Sequence, residues 1–180
     1  MQRNEKLTLI RDLPAAIIAT LDGVLATQGL RRVATRELEE DFTPLLTEPG
    51  GPLVFVFSQP HDDWTACFSS LEADDEWQLA ETLAIELEQP TAYVVISEDI
   101  EQYAYRYFAD GVLHEEFLPD DSADERLDLA TLLDKLSAHG ISLDLIDDRS
   151  VGFGAEHIMV GYSLEHSAAP DDNAAPAAEA

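Results

Sequence analysis

Residues 58 to 70, SQPHDDWTACFSS, gather His61, Asp62, Asp63 and Cys67, the residue types of a nucleophile with its base and orienting acid. A cysteine attacks only as its thiolate, which needs a base within hydrogen-bond reach and an electropositive setting. The neighbours here are carboxylates, which push a thiol pKa up. Cys67 also falls in an alternating run, WTACFS, where an uncharged cysteine behaves as a small core hydrophobe. The expectation is a hairpin loop, SQPHDD, followed by a strand with Trp64, Ala66 and Phe68 on one face and Cys67 on the other, and no catalysis.

A second set, Asp99, Glu101, His114 and Glu116, has the oxygen-rich chemistry of a Ca²⁺ or Mg²⁺ site. It lacks both the spacing of a calcium-binding loop and a His-x-x-x-His helix pair, so solvated carboxylates on a sheet face are expected, with no metal and no cofactor assigned. GFGAEH (152 to 157) resembles a phosphate loop in its two glycines only. It has neither the third glycine of a dinucleotide fingerprint nor a Gly-Lys-Ser/Thr, and reads as a flexible turn before a strand. No Gly-x-Ser-x-Gly elbow occurs.

Tyr103, Tyr105 and Tyr107 recur at period two and so share one side of a strand. Under a helix they would be core, with hydroxyls reaching the edge. On the surface they would be rigid anchors beside a carboxylate rim made of Glu98, Asp99, Glu101, Glu115 and Glu116. The alternate residues Ala104, Arg106 and Phe108 are mixed in character, which leaves both readings open. As an interface, the set suits a basic partner whose arginines stack and pair.

The formal charge of -27 is polarised along the chain: residues 1 to 60 carry eight acids and six bases, residues 61 to 180 carry 29 acids and four bases. Adaptation to high salt predicts an even spread of acid, which the first third does not show. A field of this sign repels nucleic-acid phosphate and anionic membrane and attracts basic proteins. One cysteine allows no intramolecular disulfide and no Cys-based zinc cage, in keeping with a reducing compartment. The apolar run near the N-terminus is broken by Arg11 and Asp12, and nothing approaches the roughly 18 apolar residues of a membrane span, so a cytoplasmic protein without a signal peptide is expected.

The elements that would position these residues follow from periodicity. LTLI (7 to 10) reads as a short strand, then Asp12 as N-cap and Pro14 in the first turn of a helix with Ile17, Ile18, Leu21, Val24 and Leu25 on its buried face and Gly29 as its stop. RRVATRE (31 to 37) reads as a strand and EEDFTPLLTEPGGP as a loop. LVFVF (53 to 57), apolar on both sides, reads as a central strand. Asp74, Asp75 and Glu76 mark a helix start, with Trp77, Ala80, Leu83, Ala84 and Leu87 as its stripe and Pro90 after its end. TAYVVIS (91 to 97) reads as a buried strand, and Asp110-Gly111 between alternating runs as a type I′ hairpin turn. A capping box from Ser122 to Glu125 opens a third long helix with Leu129, Leu132, Leu133 and Leu136 inward and a His139-Gly140 stop. ISLDLI and HIMVGYSL read as two more strands, and residues 166 to 180 as a flexible, acidic tail.

Hairpins outnumber βαβ alternation, so the expected fold is α+β: a largely antiparallel sheet packed by about three helices, in a single domain over 1 to 165, with a subdivision near residue 50 as the alternative. From His61 to Phe117 the chain resembles a group of uncharacterised bacterial proteins. The features are Trp64-Thr65, Asp74-Asp75-Glu76, TAYVVI, Asp99 with Glu101, and Phe108 to Gly111 followed by Glu116-Phe117. The resemblance covers about a third of the chain and implies shared fold elements without an activity.

With no coherent nucleophile, base and oxyanion arrangement, the expected function is a small non-enzymatic protein-binding module, of immunity, inhibitor or adaptor type, engaging a basic protein. It binds neither nucleic acid nor membrane directly. Two alternatives remain: a nucleic-acid mimic that inhibits a DNA-handling protein by presenting carboxylates in a phosphate-like line, and a metal-assisted hydrolase using Asp99, Glu101 and His114 or the His61-Asp62-Asp63 loop.

Overall fold

The LTLI run lies inside a seven-residue strand, β1 (Asn4–Ile10), that sits within the sheet. In the computed structural model, which describes residues 4–38, 41–59, 61–118, 128–142, 145 and 157–164, it is followed by α1 (Pro14–Ala26), β2 (Leu30–Leu38), α2 (Thr43–Thr47), β3 (Leu53–Phe57) and β4 (Thr65–Ser69). Then come α3 (Ala73–Leu87), β5 (Thr91–Ser97), β6 (Gln102–Ala109), β7 (Val112–Phe117), α4 (Leu129–Ala138) and β8 (His157–Leu164). The fold is α+β: eight strands form one sheet in the order β2-β8-β3-β4-β1-β5-β6-β7, and every pairing is antiparallel. β8 reaches back to lie between β2 and β3, so the sheet is continuous across residue 50.

The sheet is apolar on both faces, and helices cover each. On one side α1 and α3 enclose Ile17, Leu21, Leu83, Phe55, Phe57, Cys67 and Val160. On the other, α2, α4 and neighbouring loops enclose Leu7, Leu9, Val54, Val56, Trp64, Phe68, Val94 and Tyr105 with Leu132 and Leu136. Each large side chain fully removed from water here contributes roughly 1.5–3 kcal/mol, and these two layers are what hold the helices in place. LVFVF is a central strand for this reason: Val54 and Val56 serve one layer, Phe55 and Phe57 the other.

Several elements match their sequence signals closely. Asp110 (φ 51°) and Gly111 (φ 69°) form the two-residue turn between β6 and β7. Of the α1 stripe, Ile17, Ile18, Leu21 and Leu25 are buried as read and Val24 is half-buried, and Gly29 follows the helix end with a φ of 77°. Other elements differ. α1 starts at Pro14 with Leu13 at the N-cap position; the Asp12 carboxylate instead accepts from the Leu13 N–H (2.7 Å), while its carbonyl accepts from the Thr65 hydroxyl (2.7 Å). The segment read as a loop before β3 contains α2, because Phe42 is pinned in the core against Phe68 and His157 and the Asp41 carboxylate accepts from the Thr43 N–H.

On α3 the buried set is Glu76, Leu79, Ala80, Leu83 and Ala84, so Glu76 faces inward and Trp77 and Leu87 lie only half-buried. ISLDLI is no strand where it is described: Ile141 and Leu145 drop into the α4-side core. The Ser122–Glu125 capping box lies outside the described residues, and the described helix begins at Leu129 with Asp128 as its cap, accepting from the Thr131 N–H (2.7 Å). The GFGAEH turn, except for His157, and the tail from 166 to 180 also lie outside them. Among the described residues no helix is long and apolar enough to cross a membrane.

Candidate functional site

The β3–β4 connection closes on itself at its tip. His61 and Trp64 exchange backbone hydrogen bonds (2.8 and 2.9 Å), and the two residues between them, Asp62 and Asp63, both take left-handed backbone angles of 48° and 69°. Aspartate is one of the few side chains that tolerates this region. The imidazole of His61 points to solvent, 3.6 Å from the Asp62 carboxylate. Cys67 is carried about 10 Å further along β4 and faces the α1/α3 layer, buried opposite Thr8 and Phe57. Burial pushes its thiol pKa well up, and the nearby Glu76 adds to the shift. His61 and Cys67 share no site, and the pair forms no nucleophile.

The oxygen-rich set is also dispersed. Asp99 and Glu101 lie in the turn between β5 and β6, whereas His114 sits near the opposite end of the β6–β7 hairpin, about 20 Å away along the strands. Glu116 is held by Arg106. Among the described residues no group of three His, Cys, Asp or Glu side chains is placed to hold a metal ion.

Tyr103, Tyr105 and Tyr107 face α4. Tyr105 is fully buried in that layer, and Tyr103 and Tyr107 pack against it half-buried. The ring of His139 stacks on Tyr107 at 3.7 Å with an interplanar angle of 14°. Glu115, on the same side, accepts from Lys135 Nζ and lies 3.4 Å from His139 Nε2, while Lys135 sits over the Phe117 ring at 4.2 Å. The Lys135 hydrogen bond holds the Glu115 carboxyl below its ordinary pKa against a smaller opposing effect of burial, and His139 contributes in the same direction. The stripe and Glu115 are therefore the seat of α4.

Glu116 points to the opposite side, 2.6 Å from Arg106 Nε, and the Arg106 guanidinium lies 3.7 Å over the Trp77 ring. That contact joins α3 to β6 and β7. The eight residues expected to form one face therefore do not share one: five belong to the packing of α4 and α3, and Glu98, Asp99 and Glu101 remain in the β5–β6 turn beside Ile100, which is 60% exposed.

A second carboxylate-covered surface lies along α3. Glu72, Asp74, Asp75, Glu86 and Glu88 stand exposed along α3, with Ile85 half-exposed among them. The tip of the β6–β7 hairpin abuts the end of this helix, since a Cβ on Gly111 would lie 3.4 Å from Ile85 Cα. Leu113, across from Phe108 and thus on the α3-facing side, is exposed there. At the other end of α3 a cleft of about 930 Å³ opens between the start of α3, the α2–β3 connection and the ends of β1 and β5. Glu5, Glu48 and Glu72 line it, with Lys6 as its cation.

Among the described residues, the cations near this flank are engaged. Lys6 Nζ lies 3.2 Å from Glu76, whose side chain is only 2% exposed; Arg106 and Lys135 hold Glu116 and Glu115. Arg11, more exposed, lies 3.9 Å from Asp63. The sequence reading missed Ile85 and the inward turn of Glu76. Ile85 had a signal, since it falls off the apolar stripe of its own helix; Glu76 had none, because three successive acids at a helix start read alike. Comparison with protein-family models, curated proteins and solved structures returned no match.

Proposed function

We propose that this protein is a non-enzymatic binding module, of immunity, inhibitor or adaptor type, that engages a basic protein partner through the α3 flank and the β5–β6 turn. The observation that carries this reading is the engagement of Lys6, Arg106 and Lys135 with Glu76, Glu116 and Glu115. With those cations held, the carboxylates of α3 and of Glu98, Asp99 and Glu101 present a field of one sign, which steers a cationic partner and raises its association rate. Ile85, Ile100 and Leu113 supply apolar contact area within that field, the combination that suits a surface of arginines and lysines with apolar stems.

The test is capture from the native lysate on immobilised protein, at low ionic strength and again at about 0.5 M salt, where exposed charges further apart than about 5 Å are screened. A basic protein recovered at low salt, released at high salt and lost with the variant Glu86→Gln/Glu88→Gln/Ile85→Asp is the expected result. Recovery that is unchanged in that variant contradicts the reading. Release of the captured protein by duplex DNA would place it among DNA-handling proteins.

A further inference from the structure

The cleft at the start of α3 is built from two unlike parts. The ends of β4 and β5 bring Ser69, Ser70 and Ser97 to it. Ser69 is 4% exposed, and its hydroxyl oxygen accepts from the Leu71 N–H (3.3 Å); the Ser70 oxygen accepts from the Val54 N–H (3.0 Å). Among the described residues none of the three hydroxyls finds an acceptor for its own proton. Ala73 begins α3 at the same place, and no side chain caps that helix, so its leading N–H groups add to the unspent donors. A buried hydroxyl whose proton has no partner in the fold is a place for an acceptor from outside it.

The rest of the lining is apolar surface and carboxylate. Leu46, Leu53 and Leu71 line it half-buried, and Glu48, after α2, and Glu72, before α3, stand exposed. Lys6 is held by Glu76, 3.2 Å away. These groups select among ligands. A free carboxylate or phosphate could use the donors but would meet Glu5, Glu48 and Glu72, whereas a main-chain carbonyl brings an acceptor without the charge. A lysine or arginine side chain then supplies an apolar stem for the leucines and a cation for the carboxylates. The volume of about 930 Å³ lies near the top of the range of ligand sites, roughly 300–1,000 Å³, and leaves room for a short length of extended chain.

We propose that this cleft is the socket for an extended, basic peptide segment of the partner protein. Main-chain carbonyls of the segment accept from the hydroxyls of Ser69, Ser70 and Ser97 and from the first turn of α3. Its lysine or arginine stems lie on Leu46, Leu53 and Leu71, and their heads reach Glu48 and Glu72. The inference rests on the basic-partner reading and names the element of the partner that is recognised. Its place in the fold agrees with that reading, since Glu72 opens the α3 flank and Ser97 directly precedes the Glu98–Glu101 turn.

The probe is a blocked, fluorescent pentapeptide, Gly-Arg-Val-Arg-Gly, titrated at low ionic strength by anisotropy, with amide hydrogen exchange to locate it. Saturable binding that protects residues 47–53 and 69–75 is the expected result. It should weaken about tenfold or more with Glu48→Gln/Glu72→Gln or with citrulline in place of the peptide arginines, and about threefold with Ser70→Ala or Ser97→Ala. Circular dichroism confirms that each variant is folded, and Ser97→Ala breaks no hydrogen bond among the described residues, so its loss cannot come from the fold. Glu86→Gln/Glu88→Gln, at the other end of α3, should leave peptide binding unchanged. No binding, binding indifferent to Glu48 and Glu72 or to both serines, an equal loss with Glu86→Gln/Glu88→Gln, or protection away from the cleft overturns the proposal. A basic protein still captured from lysate while the peptide ignores the cleft overturns this inference alone; peptide held in the cleft with no basic protein captured upholds the cleft and overturns the basic-partner reading.

Discussion

Removing Lys6 exposes how tightly the cations of the acidic half are bound into it. Lys6 Nζ lies 3.2 Å from a Glu76 carboxylate that is 2% exposed, while Lys6 itself is 29% exposed. Removing one partner of a fully buried pair costs about 3–5 kcal/mol, because the other charge stays behind without it. Water reaches the Lys6 end, so Lys6→Met is expected to cost about 2–3 kcal/mol. Glu76→Gln keeps the shape and removes the charge, and the lysine stem can turn its ammonium to water, so about 1 kcal/mol is expected. The double variant should lose about 1–2 kcal/mol, less than the two single losses added, because no charge is stranded.

Urea unfolding followed by the fluorescence of Trp64 and Trp77 measures all four proteins of this cycle. The slope of free energy against urea should stay constant, and Lys6→Met should lower Tm by about 5–10 °C for a domain of this size. A loss under about 0.5 kcal/mol for Lys6→Met, or strictly additive losses, refutes the reasoning: Glu76 would then not depend on Lys6.

Other consequences can be checked separately. The Glu115 pKa is depressed in the folded state, so its contribution to stability is present above about pH 4.5, the ordinary glutamate value, and is lost as pH falls through the lower folded value. Urea midpoints of wild type and Glu115→Gln should therefore differ near neutrality and converge in acid; parallel curves would contradict the Lys135 contact as cause. Cys67 is buried with a raised thiol pKa, so a thiol reagent such as Ellman's should leave the native protein untouched for hours and react with one equivalent in denaturant. Rapid native labelling would place Cys67 elsewhere. Among the described residues the buried Tyr105 hydroxyl has no hydrogen-bond partner, so Tyr105→Phe should be neutral or up to about 1 kcal/mol stabilising, whereas Tyr105→Ala should cost about 3–5 kcal/mol. A clear loss for Tyr105→Phe would show that the hydroxyl is bonded.

Local signals in the sequence were readable where local physics decides the outcome. Asp110-Gly111 needs two positive φ values and takes them; the α1 and α4 stripes need one buried face and have it. What covers a face is decided elsewhere in the chain. Period two put Tyr103, Tyr105 and Tyr107 on one side of β6, but only the distant α4, through Leu132, Leu136 and His139, makes that side interior. Nothing local places β8 between β2 and β3, a pairing that joins residues 30 to 38 with 157 to 164. α2 is five residues with Pro44 in its first turn, too short to announce itself by periodicity, and it is held by the burial of Phe42. Glu76 resembles its acidic neighbours in sequence, and its burial becomes intelligible only with Lys6 of β1 beside it.

The central claim concerns where the carboxylates act, and carbodiimide labelling of carboxyl groups, read by mass spectrometry on the free protein and on its complex with the captured partner, tests it most directly. Binding should reduce labelling at Glu72, Asp74, Asp75, Glu86, Glu88, Glu98, Asp99 and Glu101 and leave Asp12 and Asp62 unchanged. Protection spread evenly over all exposed carboxylates, or confined to residues away from α3 and the β5–β6 turn, would contradict the account.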